Sequence, residues 1–165
     1  MPHYDTPDNS VTDLLDKVKE QYHPELVEAQ VTTEVLFAYD DKGGFPVKLG
    51  GYPALAVVKI NNLKNRAKGF ADIEIIVDGE AYKSLTEPQR IAVWDHELYH
   101  VVVKRDKEGN IKTDDLNRPK LSLKKHDYQL GWFREIAVRH GSNSPEVYQA
   151  SMLWQKDGRT FFPTV

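Results

Sequence analysis

Apolar positions along this chain change their spacing several times, and each change marks an element. Val11, Leu14, Leu15, Val18 and Tyr22 follow the i, i+3, i+4, i+7, i+11 rhythm of one buried helix face. Ser10 stands where it can cap that helix, with Asp13 as a weak capping-box partner. His23-Pro24 ends it, because a residue before proline is pushed away from helical angles. His23 itself is read as a helix-end histidine favoured by the dipole rather than as a ligand. Over residues 28–39 the period drops to two, and Val31, Thr33, Val35, Phe37 and Tyr39 share one side, β-branched or aromatic throughout. Turns follow at 40–44 and 50–53, leaving 45–49 as a short strand or loop. Residues 54–60 and 73–77 read as further strands, the latter followed by an Asp78-Gly79 turn.

The helical rhythm then returns strongly. Thr86-Glu87-Pro88-Gln89 is a capping box with proline in the first turn and an acid at the positive end of the dipole. Ile91, Trp94, Leu98, Val101 and Val102 form an apolar stripe at helical spacing, predicting a helix over 86–102. Residues 104–115 are polar, with a turn at 107–110, and 101–105 pairs with 111–113 as a hairpin in this reading. A second helix follows the Lys124-Lys125-His126-Asp127 segment, with Leu130, Phe133, Ile136, Ala137 and His140 giving its period and Gly141 its stop. Residues 145–153 form a last short helix, and 155–165 is a tail that docks through Phe161 and Phe162. The expected order is helix, small sheet, helix, then a second C-terminal helix, with 1–9 loose.

Composition narrows the chemistry more than the fold. The 165 residues point to one domain spanning 1–165, and no internal repeat or linker divides them. A net charge of −3 offers no bulk attraction to nucleic acid or anionic membrane. With no cysteine, disulfides, thiolate catalysis and cysteine-bound zinc are excluded. The N-terminus lacks the basic and apolar regions of a signal peptide. The longest uncharged apolar run, 49–58, is far short of the roughly 18 residues that cross a bilayer. A cytoplasmic protein with no membrane partner is the expectation. Lys59, Lys64, Arg66 and Lys68 are a possible phosphate contact, but no aromatic residues are interleaved for stacking, so a solvated loop is the plainer reading.

Within the helix predicted over 86–102 lies Asp95-His96-Glu97-Leu98-Tyr99-His100, an H-E-x-x-H pattern. Residues i and i+4 stack on one helix face, so His96 and His100 can offer imidazole nitrogens to one metal ion. Glu97, turned about 100° around the axis, is placed to act as general base on a metal-held water. Two histidines do not complete a catalytic zinc site; a third protein ligand is needed. The downstream candidates are His126, Asp127, Glu135 and His140. His126 is preferred because it sits where an irregular segment enters a helix, free to turn back. Asp127 has an alternative role as cap or imidazole orienter, His140 is at home at a helix C-terminus, and Glu135 and Asp127 stay open as ligands. Asp95 either supports the site or ties down the helix.

With those residues in view, the chain resembles the putative phage metallopeptidase family, small phage- and prophage-encoded proteins related in layout to SprT-like zinc peptidases. The resemblance runs over residues 23–141. It rests on His23-Pro24-Glu25-Leu26, on Asp72-Ile73-Glu74-Ile75-Ile76-Val77, on Gln89-Arg90 followed by the Asp95–His100 motif, and on His126-Asp127 with Phe133 and Arg139-His140-Gly141. Tyr99 stands where a small residue or cysteine is more usual, and His140 where an aromatic often is. The resemblance implies a zincin-like α+β domain, its short, mostly antiparallel sheet packed on a metal-bearing helix. It also implies one Zn2+ ion on His96, His100 and His126, and hydrolysis of a peptide or protein substrate. The oxyanion donor is open among Tyr82, Tyr99 and Tyr128. Two other readings stand beside the peptidase: a zinc-stabilised interaction or anti-defence protein without turnover, and a DNA-associated SprT-like protease recruited through residues 59–68.

Overall fold

In the computed structural model, which describes residues 2–127 and 131–155, the first element is one that periodicity misses. Pro2–Asp5 is a strand, β1, not a loose end. It pairs antiparallel with the edge of Thr33–Asp40, β2, and His3 stacks on Tyr39 with ring centroids 5.2 Å apart. Every residue of β1 is exposed, so it has no buried face and leaves no alternation to read. The first helix, α1, spans Asn9–Tyr22 and buries Leu15 and Val18. Its cap is Asp8, not Ser10: the Asp8 carboxylate accepts from the Ser10 N–H at 2.9 Å. Pro24 ends α1 but also opens a second helix, α2, Pro24–Glu28, because proline suits a first helical position.

Two short strands, β3 (Lys48–Leu49) and β4 (Tyr52–Pro53), make a small hairpin over Gly50 and Gly51. Then come β5 (Ala56–Ile60), a short helix α3 (Leu63–Ala67), and β6 (Ile73–Asp78). The main sheet runs β1-β2-β6-β5. Among the described strands only β2 and β6 are parallel, with Val35 beside Ile75 and Phe37 beside Val77; β5 is antiparallel to β6 and forms the other edge. The fold is therefore mixed α+β, with a short, mostly antiparallel sheet. Ile73, Ile75 and Val77 are fully buried, whereas Glu74 between them turns outward to pair with Lys59 at 2.8 Å.

The basic stretch between these strands is not a loop. Asn62 caps α3 by accepting from the Asn65 N–H, and Arg66 turns inward. Its guanidinium donates to Asp114 at 2.9 Å and to the Pro119 carbonyl at 3.0 Å, with the side chain 5% exposed. Arg66 is thus unavailable to a phosphate backbone. After β6, Asp78 caps a further short helix, α4 (Gly79–Lys83), where a plain turn is expected. Glycine is required at 79 because a Cβ there would collide with the Tyr39 ring.

Helix α5, Glu87–Tyr99, carries both halves of the capping box at Thr86 and Gln89. It ends three residues earlier than its apolar stripe suggests. Val101–Val103 forms a strand, β7, paired with Leu121–Leu123, β8, rather than with residues 111–113. Three consecutive β-branched residues favour extended backbone, and of the expected hairpin only an Arg105–Ile111 bridge forms. The chain closes with α6 (Arg134–His140), stopped at Gly141 with φ 55°, and α7 (Pro145–Gln155). Leu130 and the tail aromatics Phe161 and Phe162 lie outside the described residues. Trp94 and Leu98 of α5, Leu15, Leu26, Phe133 and Ile136 make the fully buried centre. No helix among the described residues is long and apolar enough to cross a membrane.

Candidate metal centre

The same helix that fills the core presents His96, Glu97 and His100 on its other side, with Glu97 only 5% exposed. The His96 and His100 ring centroids are 5.3 Å apart, as one turn of helix dictates. The third ring arrives through the β7–β8 pairing. Because β8 lies against β7, the Lys124 carbonyl meets His100, and the chain two residues later delivers His126. Its ring centroid lies 5.1 Å from that of His96 and 4.5 Å from that of His100. His96 Nε2 and His126 Nε2 face each other at 3.1 Å, and one donor atom from each of the three rings lies within 4.8 Å of the others. Phe133, fully buried, packs against all three rings and fixes their planes.

Hydrogen bonding decides which nitrogens are available. His96 Nδ1 lies 3.0 Å from the Glu146 carboxylate, and His100 Nδ1 lies 2.7 Å from the Lys124 carbonyl oxygen. Both partners only accept, so both Nδ1 atoms carry the proton. In neutral imidazoles this leaves the Nε2 lone pairs directed into the cluster. A tetrahedral ion held at roughly 2.0–2.1 Å by nitrogen spaces its ligands about 3.3 Å apart, close to the observed separation of His96 and His126. The donor set therefore fits a divalent transition metal.

At His100 and His126 the electrostatics favour neutral rings. Burial pushes the His100 pKa down to about 4, and burial also lowers His126. For His96 burial acts downward too, but the Glu146 hydrogen bond and the Glu97 charge outweigh it and leave the ring raised. Burial lifts Glu97 to about 7, against the pull of His96 and with the push of Glu146.

The other candidates have different partners. Asp127 accepts from the Arg134 N–H at 3.0 Å and so ties down the start of α6. Glu135 is exposed in the first turn of that helix. His140 Nε2 lies 2.7 Å from Asp95, as does His23 Nε2, and Arg139 donates to the same carboxylate at 2.6 Å. Asp95, fully buried, thus joins α1, α5 and α6 behind the imidazoles. Burial opposes its charge, but His23, His140 and Arg139 together hold its pKa below the ordinary value. Among the tyrosines, Tyr82 is buried and accepts from the Trp94 indole, and Tyr99 lies under the Lys124 ammonium, 3.2 Å from its ring centre. Neither lines the cavity over the imidazoles, and Tyr128 lies outside the described residues.

A cavity of about 750 Å³ opens over the imidazoles. Its walls are β4 and β5 with the residues joining them, Val93, Glu97 and the three histidines, Leu123, Gly131, Pro145 and Gln149. Sequence reasoning finds neither Glu146 nor Gln149. An acid in a first helical turn is commonplace, and nothing local links residue 146 to residue 96.

The strand along this cavity offers backbone groups. Asn61 N–H donates to Asp72 and Asp78 N–H to Leu55 across the β5–β6 pair. Odd-numbered residues of β5 therefore face β6, and Ala56 and Val58 aim their N–H and C=O groups at the outer edge. Among the described residues, no strand neighbours β5 on that side.

A family model described as putative phage metallopeptidase matches residues 7–159. No curated protein and no solved structure matches the chain.

Proposed function

The chain belongs to the putative phage metallopeptidase family, and from that premise we propose that it is a zinc-dependent peptidase. The observation that carries the reading is the tautomer assignment: Glu146 and the Lys124 carbonyl hold the Nδ1 protons of His96 and His100, and their Nε2 lone pairs converge with His126. His96, His100 and His126 would hold the ion. When bound, zinc polarises a carbonyl and lowers the pKa of water towards about 7.

The residues of the chain do the rest. Glu97 stands buried beside the imidazoles, with no side-chain hydrogen-bond partner among the described residues. A carboxylate with a pKa raised to about 7 can take a proton from water and return it to a leaving amine at neutral pH. Burial of Glu97, with little of its surface open to solvent, limits competing exchange with bulk water. An extended peptide adds to the open edge of β5, pairing with the outward groups of Ala56 and Val58. That edge supports a polypeptide as substrate over a small molecule.

The test is cleavage of fluorescein-labelled casein by the zinc-loaded chain. Glu97→Gln should keep its metal and lose about 10³-fold in kcat/KM. Equal cleavage by Glu97→Gln and wild type would overturn the reading.

A further inference from the structure

Gln149 sits one helical turn after Glu146 on α7, and i, i+3 positions share a helix face. Glu146 reaches inward to His96, and Gln149 lines the cavity over the imidazoles. Its side-chain oxygen is engaged: the Trp132 indole N–H donates to Oε1 at 2.9 Å. That orientation follows from chemistry, because an indole N–H can only donate, so the atom it meets must be the amide oxygen. The amide NH2, with two donor hydrogens, has no partner among the described residues.

An extended peptide alternates its backbone groups between two edges. Along β5, half of them pair with Ala56 and Val58. The carbonyls on the other edge point away from β5 and need donors elsewhere, since a backbone acceptor taken out of water unpaired costs free energy. Helix α5 packs against both β5 and α7, and residues of all three line the cavity that holds His96 and Glu97. Among the described residues of α7 that line the cavity, Pro145 has no N–H to give and Gln149 carries a side-chain donor.

We propose that Gln149, its amide fixed by Trp132, donates a hydrogen bond to a main-chain carbonyl of the peptide lying along β5. Gln149 is then a substrate-binding residue and Trp132 a positioning residue. Gln149 is exposed on α7, so its replacement leaves the core intact. The assignment rests on the peptidase reading, and the experiment separates the two.

Fluorescein-labelled casein is the probe, with the full-length, zinc-loaded chain. In the inactive Glu97→Gln background, adding Gln149→Leu should weaken casein binding about tenfold. In the active chain the same change should raise KM about tenfold with kcat within twofold, the signature of lost ground-state binding. Gln149→Glu keeps the size and the Trp132 bond but offers only acceptors, and should weaken binding at least as far. Trp132→Phe frees the amide, giving a smaller loss that vanishes when Gln149 is already leucine. Binding within twofold of the parent for both Gln149 variants overturns the proposal and leaves the peptidase reading standing. A fall in kcat at unchanged binding also overturns it. If wild type cleaves casein no better than Glu97→Gln, both the peptidase reading and this inference fall.

Discussion

Glu146 ties the candidate ligand His96 to the start of α6. One of its oxygens, Oε2, takes both the His96 Nδ1 proton and the Phe133 N–H, at 3.0 and 2.9 Å. That oxygen thereby sets the ring that stands opposite His126. Carboxylates behind metal-bound histidines commonly contribute 10–100-fold in metal affinity. Glu146→Ala should therefore weaken zinc about 10- to 100-fold in a chelator competition, while Glu146→Gln, which keeps an acceptor for the Nδ1 proton, retains most of the affinity. Equal affinity for Glu146→Ala and wild type would mean that His96 needs no orienting partner. At this scale the sequence is readable where chemistry is local. His96, Glu97 and His100 announce themselves because i and i+4 share a helix face. His126 is preferred among the downstream donors because it sits where an irregular segment enters a helix; Asp127 takes the capping role open to it, on the Arg134 N–H, whereas the pairing of His140 with Asp95 joins distant segments and leaves no sign in the spacing. Glu146 and Gln149 were illegible because their roles depend on how α7 folds back, which no spacing encodes.

Elements were read well where a face is buried and poorly where it is not. α1, β2, β6 and α5 each carry a buried stripe, and their existence follows from it. β1, exposed on both faces, and the one-turn helices α2, α3 and α4, which owe their ends to Pro24, Asn62 and Asp78, leave no periodic trace. The segment between β7 and β8 is held by charge as well as by Ile111 packing on the core. Asp72, 1% exposed, accepts from the Thr32 N–H and hydroxyl, and Arg118 reaches across to it from that segment. Burial raises the Asp72 pKa, but the Arg118 and Thr32 hydrogen bonds overcome it and leave the carboxyl below its ordinary 3.8. The stabilisation is therefore complete above that value and is lost as the pH falls through the lower, folded pKa. Tm should drop steeply below about pH 4. Asp72→Asn should have a lower Tm at pH 7 and a shallower acid limb. Parallel acid limbs for the two proteins would show that Asp72 is not the group responsible.

The whole molecule places its two kinds of chemistry on opposite sides of one helix. The apolar face of α5 buries Trp94 and Leu98 in the core shared with the sheet and α1. The other side carries His96, Glu97 and His100 to a cleft bounded by the free edge of β5 and by α7. Asp95 braces this arrangement from behind through His23, Arg139 and His140. The α+β class was legible because helical and alternating stretches are segregated in the chain. The parallel β2–β6 pairing and the return of β8 to β7 were not, since each depends on contacts between distant segments. The account stands or falls on three imidazoles sharing one ion. The most direct measurement is zinc per chain, by elemental analysis of purified protein, across single alanine variants. One equivalent is predicted for wild type, Asp127→Ala, Glu135→Ala and His140→Ala, and almost none for His96→Ala, His100→Ala and His126→Ala. A full complement of zinc in His126→Ala, with an empty site in Glu135→Ala, would contradict it.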